Sequence, residues 1–278
     1  MRLIAHLSDL HFGRIDEAVL APLVATLAAR KPHLVVVSGD LTQRARAREF
    51  AQARDFLAKL PRPQIVVPGN HDVPLYDFLS RWLTPLSGYR RFICDDLEPF
   101  FADEEIAVLG VNTARSNTFK AGRVNRDQVA RGASRLRDCG DAVTRIVVTH
   151  HPFDFGELSA PASVIGRARM AMAGFAQVRV DMILSGHLHR SEAVDSASRY
   201  DPLDRSILLV QAGTATSTRQ RGELNAFNMI RVEGAHVGVD SLAFDARRGT
   251  FGVATSREFR RIGETWRGDQ PNRAAIAQ

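Results

Sequence analysis

Most of the nine histidines of this 278-residue chain lie in five short clusters that also contain carboxylate and amide side chains. The clusters are Ser8-Asp9-Leu10-His11, Ser38-Gly39-Asp40, Pro68-Gly69-Asn70-His71-Asp72, Thr149-His150-His151-Pro152 and Ser185-Gly186-His187-Leu188-His189. Imidazole nitrogens and carboxylate oxygens together suit Mn, Fe, Zn or Co. Two carboxylates, one amide oxygen and four imidazoles exceed the four ligands of a tetrahedral zinc ion. The clusters therefore predict two metal ions about 3.5–4 Å apart that share a carboxylate, as in two-metal hydrolases.

Each cluster directly follows a short apolar run that is typical of a buried β-strand. These runs are Leu3–Leu7, Leu34–Val37, Ile65–Val67, Ile146–Val148 and Met182–Leu184, and two more are Ile106–Val111 and Ile207–Val210. Most of them are continuous rather than alternating, which favours strands covered on both faces. Because α/β sheets bind ligands at the carboxyl ends of their strands, we expect the clusters to converge. Gly39, Gly69 and Gly186 should let the backbone turn sharply there.

Helical spacing of apolar residues fills several gaps between these runs. It covers Leu20–Leu27, Phe50–Leu60 and Asn125–Leu136, with Pro61 ending the second helix and Asn125 as the N-cap of the third. After about residue 185 the pattern changes to strands, with Phe227–Val232 and His236–Phe244 joined by a turn at Gly234-Ala235. The alternation of strands and helices predicts an α/β architecture.

No single cluster is specific. Asp-x-His occurs by chance in many chains, Asn and Asp favour turns, and paired histidines are often surface or core residues. Five clusters in one chain, each at the end of a strand, are a much stronger indication of a shared site.

In order, the clusters resemble the pattern Asp-x-His, Gly-Asp, Gly-Asn-His-Asp/Glu, His, Gly-His-x-His of the calcineurin-like metallophosphoesterases, over about residues 1–245. His6-Leu7-Ser8-Asp9-Leu10-His11, and Gly122-Arg123-Val124-Asn125 followed by Gln128, resemble the bacterial class III cyclic-nucleotide phosphodiesterase and glycerophosphodiesterase branch. The resemblance implies an α/β (α+β) fold, a four-layer αββα sandwich of two mixed β-sheets flanked by helices. The strands after residue 185 are then expected to form the second sheet.

The resemblance also implies which residues bind metal. Asp40 resembles the bridging carboxylate. The ligands of the first ion correspond to Asp9, His11 and His189, and those of the second ion correspond to Asn70, His150 and His187. The expected cofactors are two divalent or mixed-valence transition-metal ions, namely Mn, Fe, Zn or Co.

Three further positions have expected roles near the metals. His71 matches the histidine that contacts the substrate phosphate without binding metal, and it is a candidate to protonate the leaving group. Asp72 is expected to hold the ring of His71 in its tautomer and orientation. His151 is assigned either to a contact with the ligands or substrate or to packing. We expect structural roles for the remaining histidines, His6, His33 and His236.

These features imply an enzyme, a metal-dependent phosphoric diester hydrolase that attacks a small phosphodiester with metal-bound hydroxide. A 3′,5′-cyclic nucleotide is the first substrate candidate. A glycerophosphodiester, a nucleic acid and a lipid-linked diester remain alternatives. The net charge of +6 and the pI of about 10.0 suit phosphate ligands, whereas the 7% aromatic content disfavours base stacking on nucleic acid. A non-enzymatic scaffold is disfavoured because no ligand position is missing.

We expect residues 1–245 to form the catalytic domain, with a cap-like irregular segment at about 152–174, and residues 246–278 to form a loosely ordered Arg-rich tail. The sequence shows no apolar run near the ~18 residues of a membrane span and no signal peptide, so a cytoplasmic location is expected. The two cysteines provide no disulfide framework. The expected partner is a small phosphodiester, and a homodimer is left open.

Overall fold

The computed structural model describes residues 1–116, 121–153, 164–196, 205–219 and 223–273. The strands are β1 (Arg2–Leu7), β2 (Leu34–Val37), β3 (Gln64–Val66), β4 (Phe100–Ala102), β5 (Ile106–Gly110), β6 (Thr144–Val148), β7 (Val180–Ser185), β8 (Glu192–Asp195), β9 (Leu208–Gln211), β10 (Ala226–Glu233), β11 (His236–Asp245), β12 (Thr250–Ile262), β13 (Thr265–Gly268) and β14 (Asn272–Arg273). The helices are α1 (Glu17–Arg30), α2 (Ala47–Leu57), α3 (Phe78–Leu83), α4 (Ser87–Phe92), α5 (Arg126–Arg137) and α6 (Ala168–Gln177). None of these helices has the length and apolar character needed to cross a membrane.

The strands form two mixed sheets. The first has the order β13-β12-β11-β10-β1-β2-β3, with β14 also paired to β12, and the second has the order β4-β5-β6-β7-β9-β8. In the first sheet β1, β2 and β3 are parallel, while β1 pairs antiparallel with β10. In the second sheet β5, β6, β7 and β9 are parallel. The carboxyl ends of the parallel strands carry the five clusters.

Neighbouring residues of one strand enter different hydrophobic cores. Val36 packs between the two sheets, whereas Val35 packs with residues of α1 and α2 on the outer face of the first sheet. In the second sheet Ile146 joins the core between the sheets, and Val147 packs with α5 and α6. This explains the continuous apolar runs, because both faces of these strands are covered. The predicted four-layer αββα sandwich is confirmed.

The late strands divide between the two sheets, so the expectation for them is only partly right: β8 and β9 lie in the second sheet, whereas the strands from β10 onward do not. β10 pairs with β1, from Arg2 with Val232 to His6 with Asn228, so the strands after residue 226 extend the first sheet. The second sheet is built mainly from the middle of the chain. The Gly234-Ala235 hairpin between β10 and β11 is confirmed, with Glu233 paired to His236.

The expectation of a loosely ordered C-terminal tail is wrong for most of its length. β12 pairs with β11 from Thr250 to Arg260, and Phe259 and Trp266 pack between the sheets. Arg261 also pairs with the buried carboxylate of Asp181 in β7. An irregularity in the β11–β12 register between Ser241 and Leu242 interrupts the pairing, as a bulge would. The sequence therefore lacks the regular alternation that would have revealed this strand.

The expected irregular segment at 152–174 is also partly wrong. α6 begins at Ala168, and its Met172 and Phe175 are buried in the core beneath the second sheet. Phe153 packs edge-on to Phe175, with ring centroids 6.4 Å apart. Residues 154–163 lie outside the described part of the chain, so a cap formed by them stays a prediction.

The N-cap of α5 is where the sequence placed it. The side chain of Asn125 accepts from the Gln128 amide at 2.8 Å, and the Gln128 side chain accepts from the Asn125 amide at 3.2 Å. This reciprocal capping box fixes the start of the helix.

Candidate metal centre

The five clusters converge at the carboxyl ends of β1, β2 and β3 from one sheet and β6 and β7 from the other. The ligand atoms of Asp9, His11 and His189 lie within 4.8 Å of one another, and so do those of Asp9, Asp40 and His150. All five residues are buried. The two groups share Asp9, so the centre is continuous.

The first half of the centre surrounds one oxygen of Asp9. Its Oδ1 lies 3.2 Å from Nε2 of His189 and 3.4 Å from Nε2 of His11, and the two nitrogens are 3.4 Å apart. Oδ1 is buried and has no hydrogen-bond partner. A buried carboxylate oxygen without a donor is unfavourable, and a cation among these three atoms would relieve it.

The second half surrounds Nε2 of His150. This nitrogen lies 3.1 Å from Oδ1 of Asn70, 3.3 Å from Nδ1 of His187 and 3.3 Å from Oδ2 of Asp40. Nitrogen and oxygen donors are thus directed at one small volume, as transition metals require.

Asp40 lies between the two halves. Its Oδ2 is 3.3 Å from Nε2 of His150 and 3.7 Å from Nε2 of His11. Its Oδ1 accepts a hydrogen bond from the backbone amide of His71 at 2.8 Å, which orients the carboxylate.

Hydrogen bonds behind the imidazole rings direct the opposite nitrogens into the centre. Nδ1 of His150 donates to the Ser38 carbonyl at 2.8 Å, and Nδ1 of His189 donates to the Arg219 carbonyl at 2.9 Å. Oδ2 of Asp9 accepts from Ser8 Oγ and from the His187 amide. Metal-binding histidines typically show such back-side bonds, which fix the tautomer and the ring orientation.

The backbone is strained where these residues lie. Nine non-glycine residues in the described part of the chain have positive φ, and five of them are candidate ligands. Their φ angles are 54° at Asp9, 50° at His11, 52° at Asp40, 72° at His187 and 58° at His189. Side chains disfavour this region, and such strain concentrates at functional sites.

At Gly69 and Gly186, the absence of a side chain is required because another segment of the chain lies very close to the Cα atom, and not because the backbone turns there. A Cβ at Gly186 would lie 1.7 Å from Ser8 Oγ, and one at Gly69 would lie 2.1 Å from Oδ1 of Asp40. Gly39 alone of the three cluster glycines has positive φ, at 93°. The expected role in sharp turning therefore holds for Gly39 only.

The electrostatics keep both aspartates ionised. Burial alone would raise the pKa of Asp40, but His150 holds that pKa well below its usual range. Asp9 follows the same pattern, with a pKa lowered chiefly by His189 and His11 against burial. Burial and the neighbouring His150 lower the pKa of His187 to about 3, which leaves its nitrogens neutral. Asp40 also raises the pKa of His150 to about 9 against the effect of burial, so this ring is protonated when no metal is bound. A metal ion must displace that proton to bind Nε2, and metal binding at this centre should therefore release protons.

His71 lies at the edge of this centre beside a residue that the sequence did not indicate. Its Nδ1 bonds the Gln43 carbonyl at 3.0 Å, and its Nε2 lies 3.1 Å from Nη1 of Arg219. Since a carbonyl only accepts and a guanidinium only donates, the geometry assigns the proton to Nδ1 and a lone pair to Nε2. Nothing local in the sequence marked Arg219, which is separated from His71 by 148 residues.

The expected contact between Asp72 and the ring of His71 is wrong. The carboxylate of Asp72 accepts from the amides of Gly69, Leu41 and Thr42 and from the Thr42 hydroxyl, at 2.9–3.1 Å. Burial and Asp40 raise the pKa of Asp72 to about 6. Asp72 therefore joins the loops after β2 and β3, and the Gln43 carbonyl orients His71.

His151 contacts the centre, and its candidate ligand atom lies within 4.8 Å of those of His150 and His187. Its ring lies 4.7 Å from the ring of His187 and 4.9 Å from that of His150, and its Nδ1 is 2.8 Å from Thr113 Oγ1. A Cβ at Gly122 would lie 2.3 Å from this ring, which gives a physical reason for the glycine in the Gly122-Arg123 stretch. The other three histidines lie outside the groups of candidate ligands, as expected: His6 bonds Ser38, His33 accepts from the Leu3 amide, and His236 is exposed.

Comparison with known proteins agrees with this geometry. The family model of the calcineurin-like phosphoesterases matches residues 2–191, which is well over half of the chain. A probable cyclic nucleotide phosphodiesterase of Synechococcus is 26% identical over 208 residues, covering 68% of this chain and 73% of that protein. A glycerophosphodiester phosphodiesterase of Enterobacter lignolyticus is 32% identical over 173 residues, covering 55% of this chain and 58% of the relative.

Solved structures support the fold. A dimetal phosphatase from Danio rerio superposes with a TM-score of 0.63 at 11% identity, covering 86% of this chain and 95% of that one. The chain belongs to the calcineurin-like phosphoesterase family and is a hydrolase of phosphoric esters. The family match and these relatives support the predicted enzyme class, a phosphoric diester hydrolase.

Proposed function

We propose that this protein is a dinuclear-metal-dependent phosphodiesterase that hydrolyses a small phosphodiester. The position of Asp40 carries the proposal, because its Oδ2 lies between the donors of two ligand groups. Asp9, His11 and His189 would hold the first ion, Asn70, His150 and His187 would hold the second, and Asp40 would contribute to both. When bound, such ions supply activation of water for attack on phosphorus and neutralisation of the phosphoryl oxygens.

His71 is proposed to move a proton at Nε2. With the proton on Nδ1, Nε2 is an acceptor, so it must take up a proton before it can protonate the leaving oxygen. Burial lowers the pKa of His71, and Arg219 lowers it further. A change in the position of Arg219 would therefore favour the protonated ring.

Arg219 is proposed to bind a phosphoryl oxygen of the substrate. Its guanidinium is half-buried at the edge of the centre, and Arg–phosphate bonds are strong charge-assisted hydrogen bonds. A phosphate bound there would draw Nη1 away from His71. Binding of substrate and release of Nε2 would then be coupled.

The substrate that we propose first is a 3′,5′-cyclic nucleotide. Relatives named as cyclic nucleotide phosphodiesterases align over about two thirds of this chain. The second candidate is a glycerophosphodiester, which is favoured by the higher identity of 32% to the Enterobacter enzyme over a shorter alignment. A nuclease and a hydrolase of lipid-linked diesters are alternatives without a specific contact in their favour.

The test is hydrolysis by Mn²⁺-loaded protein of 3′,5′-cyclic AMP, glycerophosphoethanolamine and bis(p-nitrophenyl) phosphate, with kcat/KM measured for each. The matched control is Asp40→Ala, which should lose all three activities together with bound metal.

Efficient turnover of cyclic AMP supports the first candidate, and selective turnover of the glycerol ester supports the second. Turnover of the nitrophenyl ester alone would retain the two-metal site and would contradict both substrates. Full activity and two bound metals in Asp40→Ala would contradict the proposed centre.

A further inference from the structure

Large apolar side chains are exposed in one eight-residue stretch beside the metal centre. Among the described residues seven large apolar side chains are strongly exposed, and five of these lie between residues 76 and 83. Their exposed fractions are 70% for Tyr76, 63% for Phe78, 71% for Leu79, 65% for Trp82 and 71% for Leu83. We call these five side chains the α3 patch. Scattered apolar residues on a surface are ordinary, whereas a contiguous group usually marks an interaction site.

The orientation of α3 is the reverse of that of an ordinary surface helix. Its one buried residue is Arg81, which is 2% exposed, while its apolar residues face outward. A helix on the surface of a soluble domain normally buries apolar residues and exposes charged ones.

Specific hydrogen bonds hold α3 in this orientation. Nε of Arg81 donates to the Ser116 carbonyl at 2.6 Å, and Nη1 donates to the Pro74 carbonyl at 2.8 Å. At the start of the helix, Asp77 accepts from the Ser80 amide at 3.0 Å. The exposure of the α3 patch is therefore a consequence of tertiary contacts.

Arginines line the groove beside the patch. A groove of about 540 Å³ separates the start of α2 from α3 and α4, and Arg44, Arg46 and Arg91 line it. The guanidinium of Arg44 lies 5.3 Å from the centre of the Tyr76 ring. Arg48 is exposed on the first turn of α2.

The acidic residues of the groove cancel only part of this charge, because two carboxylates, Asp72 and Asp77, line it beside three arginines. Asp77 caps α3, and Asp72 is buried and bonded to backbone amides. The face thus combines exposed Trp, Tyr, Phe and Leu with a positive rim.

We propose that the α3 patch and its arginine rim dock the enzyme onto a membrane surface containing anionic lipids. Apolar and aromatic side chains that insert at the headgroup boundary, together with basic residues that attract anionic headgroups, define an interfacial anchor. Charge complementarity favours this occupant over a second copy of the chain, which would bring the same positive rim with it. The aliphatic side chains of Leu79 and Leu83 favour lipid over nucleic acid, because they cannot stack on bases.

Docking of this face would bring the metal centre close to the membrane. Asp72 lines the groove and follows His71 directly in the chain. The proposal adds a location at the lipid surface, and it does not require that the substrate be a lipid.

The chain contains a natural reporter for the test. Of its two tryptophans, Trp82 is 65% exposed in the patch, whereas Trp266 is 1% exposed in the core. A vesicle-dependent blue shift of tryptophan emission therefore reports on Trp82. The probe is vesicles of phosphatidylglycerol and phosphatidylcholine, compared with vesicles of phosphatidylcholine alone.

We expect a blue shift and co-sedimentation with the anionic vesicles, much weaker binding to the neutral vesicles, and no shift in Trp82→Phe. The double variant Phe78→Ser/Leu79→Ser, which keeps Trp82, should bind at least tenfold more weakly. Arg46→Glu/Arg91→Glu should lose roughly 30-fold or more, since each basic residue near an anionic surface contributes about 1 kcal/mol. The matched control is Ile262→Ser/Arg260→Glu, which changes an exposed apolar residue and an exposed arginine of β12.

The control should bind vesicles like the unchanged protein, and all variants should keep the rate of bis(p-nitrophenyl) phosphate hydrolysis, which reports an intact fold. Absence of a blue shift, or equal loss in the β12 control, would overturn the proposal. A blue shift without vesicles that rises with protein concentration, together with a dimer in sedimentation that Phe78→Ser/Leu79→Ser abolishes, would assign the face to a second copy instead.

Discussion

At the scale of single residues, contacts between distant parts of the chain orient the candidate catalytic groups. The Gln43 carbonyl and Arg219 fix the tautomer of His71, and the Arg219 carbonyl also orients His189. Residue 219 thus contributes to the centre through both its backbone and its side chain.

Replacement of His71 by alanine should lower kcat by about 10²–10⁴-fold, the usual contribution of a positioned acid or base. We expect two metal ions per chain to remain bound, and metal analysis beside the assay checks this. The side chain of His71 also lies within ligand range of His11 and Asp40. Loss of metal in parallel with activity would therefore make His71 a ligand.

Replacement of Arg219 by methionine should mainly raise KM, with a loss in kcat/KM of about 10–100-fold. A hydrogen bond to a charged group contributes about 1.5–3 kcal/mol, and 1.4 kcal/mol corresponds to about tenfold. Steady-state kinetics should also show weaker inhibition by inorganic phosphate. An unchanged inhibition constant for phosphate would exclude the proposed contact.

His6 should make the fold sensitive to acid. Burial lowers the pKa of His6 to about 3, so the native state keeps the ring neutral while the unfolded chain protonates it below about pH 6.5. Its stabilising contribution is present above pH 6.5 and falls by about 2 kcal/mol at pH 5.

Urea unfolding of the protein and of His6→Gln at pH 7 and pH 5 measures this effect. On going from pH 7 to pH 5, the free energy of unfolding should fall by about 2 kcal/mol less in the variant than in the unchanged protein. The same difference between the two proteins at both pH values would contradict the buried neutral ring.

At the scale of elements, the strands after residue 245 complete the core that supports the metal centre. Phe259 of β12 and Trp266 of β13 pack between the two sheets with Ile4, Val36 and Leu184, which lie on strands that lead into the clusters. The C-terminal strands are therefore part of the fold on which the centre depends.

Replacement of Trp266 by alanine should lower the free energy of unfolding by about 3–5 kcal/mol, because it leaves a large cavity in the core. Trp82→Ala is the matched control, and it should change stability by no more than about 0.5 kcal/mol since its side chain is exposed. Chemical denaturation of both variants is the measurement. Similar stability of the two variants would be inconsistent with the packing of β13.

At the scale of the whole molecule, the two sheets meet at a buried centre whose His and Asp side chains could hold metal ions. Removal of metal by a chelator should lower Tm, because ions that bind only the native state stabilise it. At about 1,000 times the dissociation constant each ion contributes about 4 kcal/mol, which corresponds to roughly 10 °C in a chain of this size.

Thermal unfolding with and without chelator, followed by addition of Mn²⁺, checks this expectation. In Asp40→Ala the Tm should respond little to either treatment. An equal response in this variant would place the stabilising ions elsewhere.

The sequence alone determined the main strands, the end of each strand at which polar residues follow, and the five clusters that converge there. These features are local, because an apolar run covered on both faces and the polar cluster after it are adjacent in the chain. The tertiary structure decided what depends on distant segments. Examples are the joining of β10 to β1, the contact of His71 with Arg219, and the burial of Arg81 that turns the α3 patch outward. Pairing and packing across such separations leave no spacing pattern in the sequence, so only the folded chain specifies them.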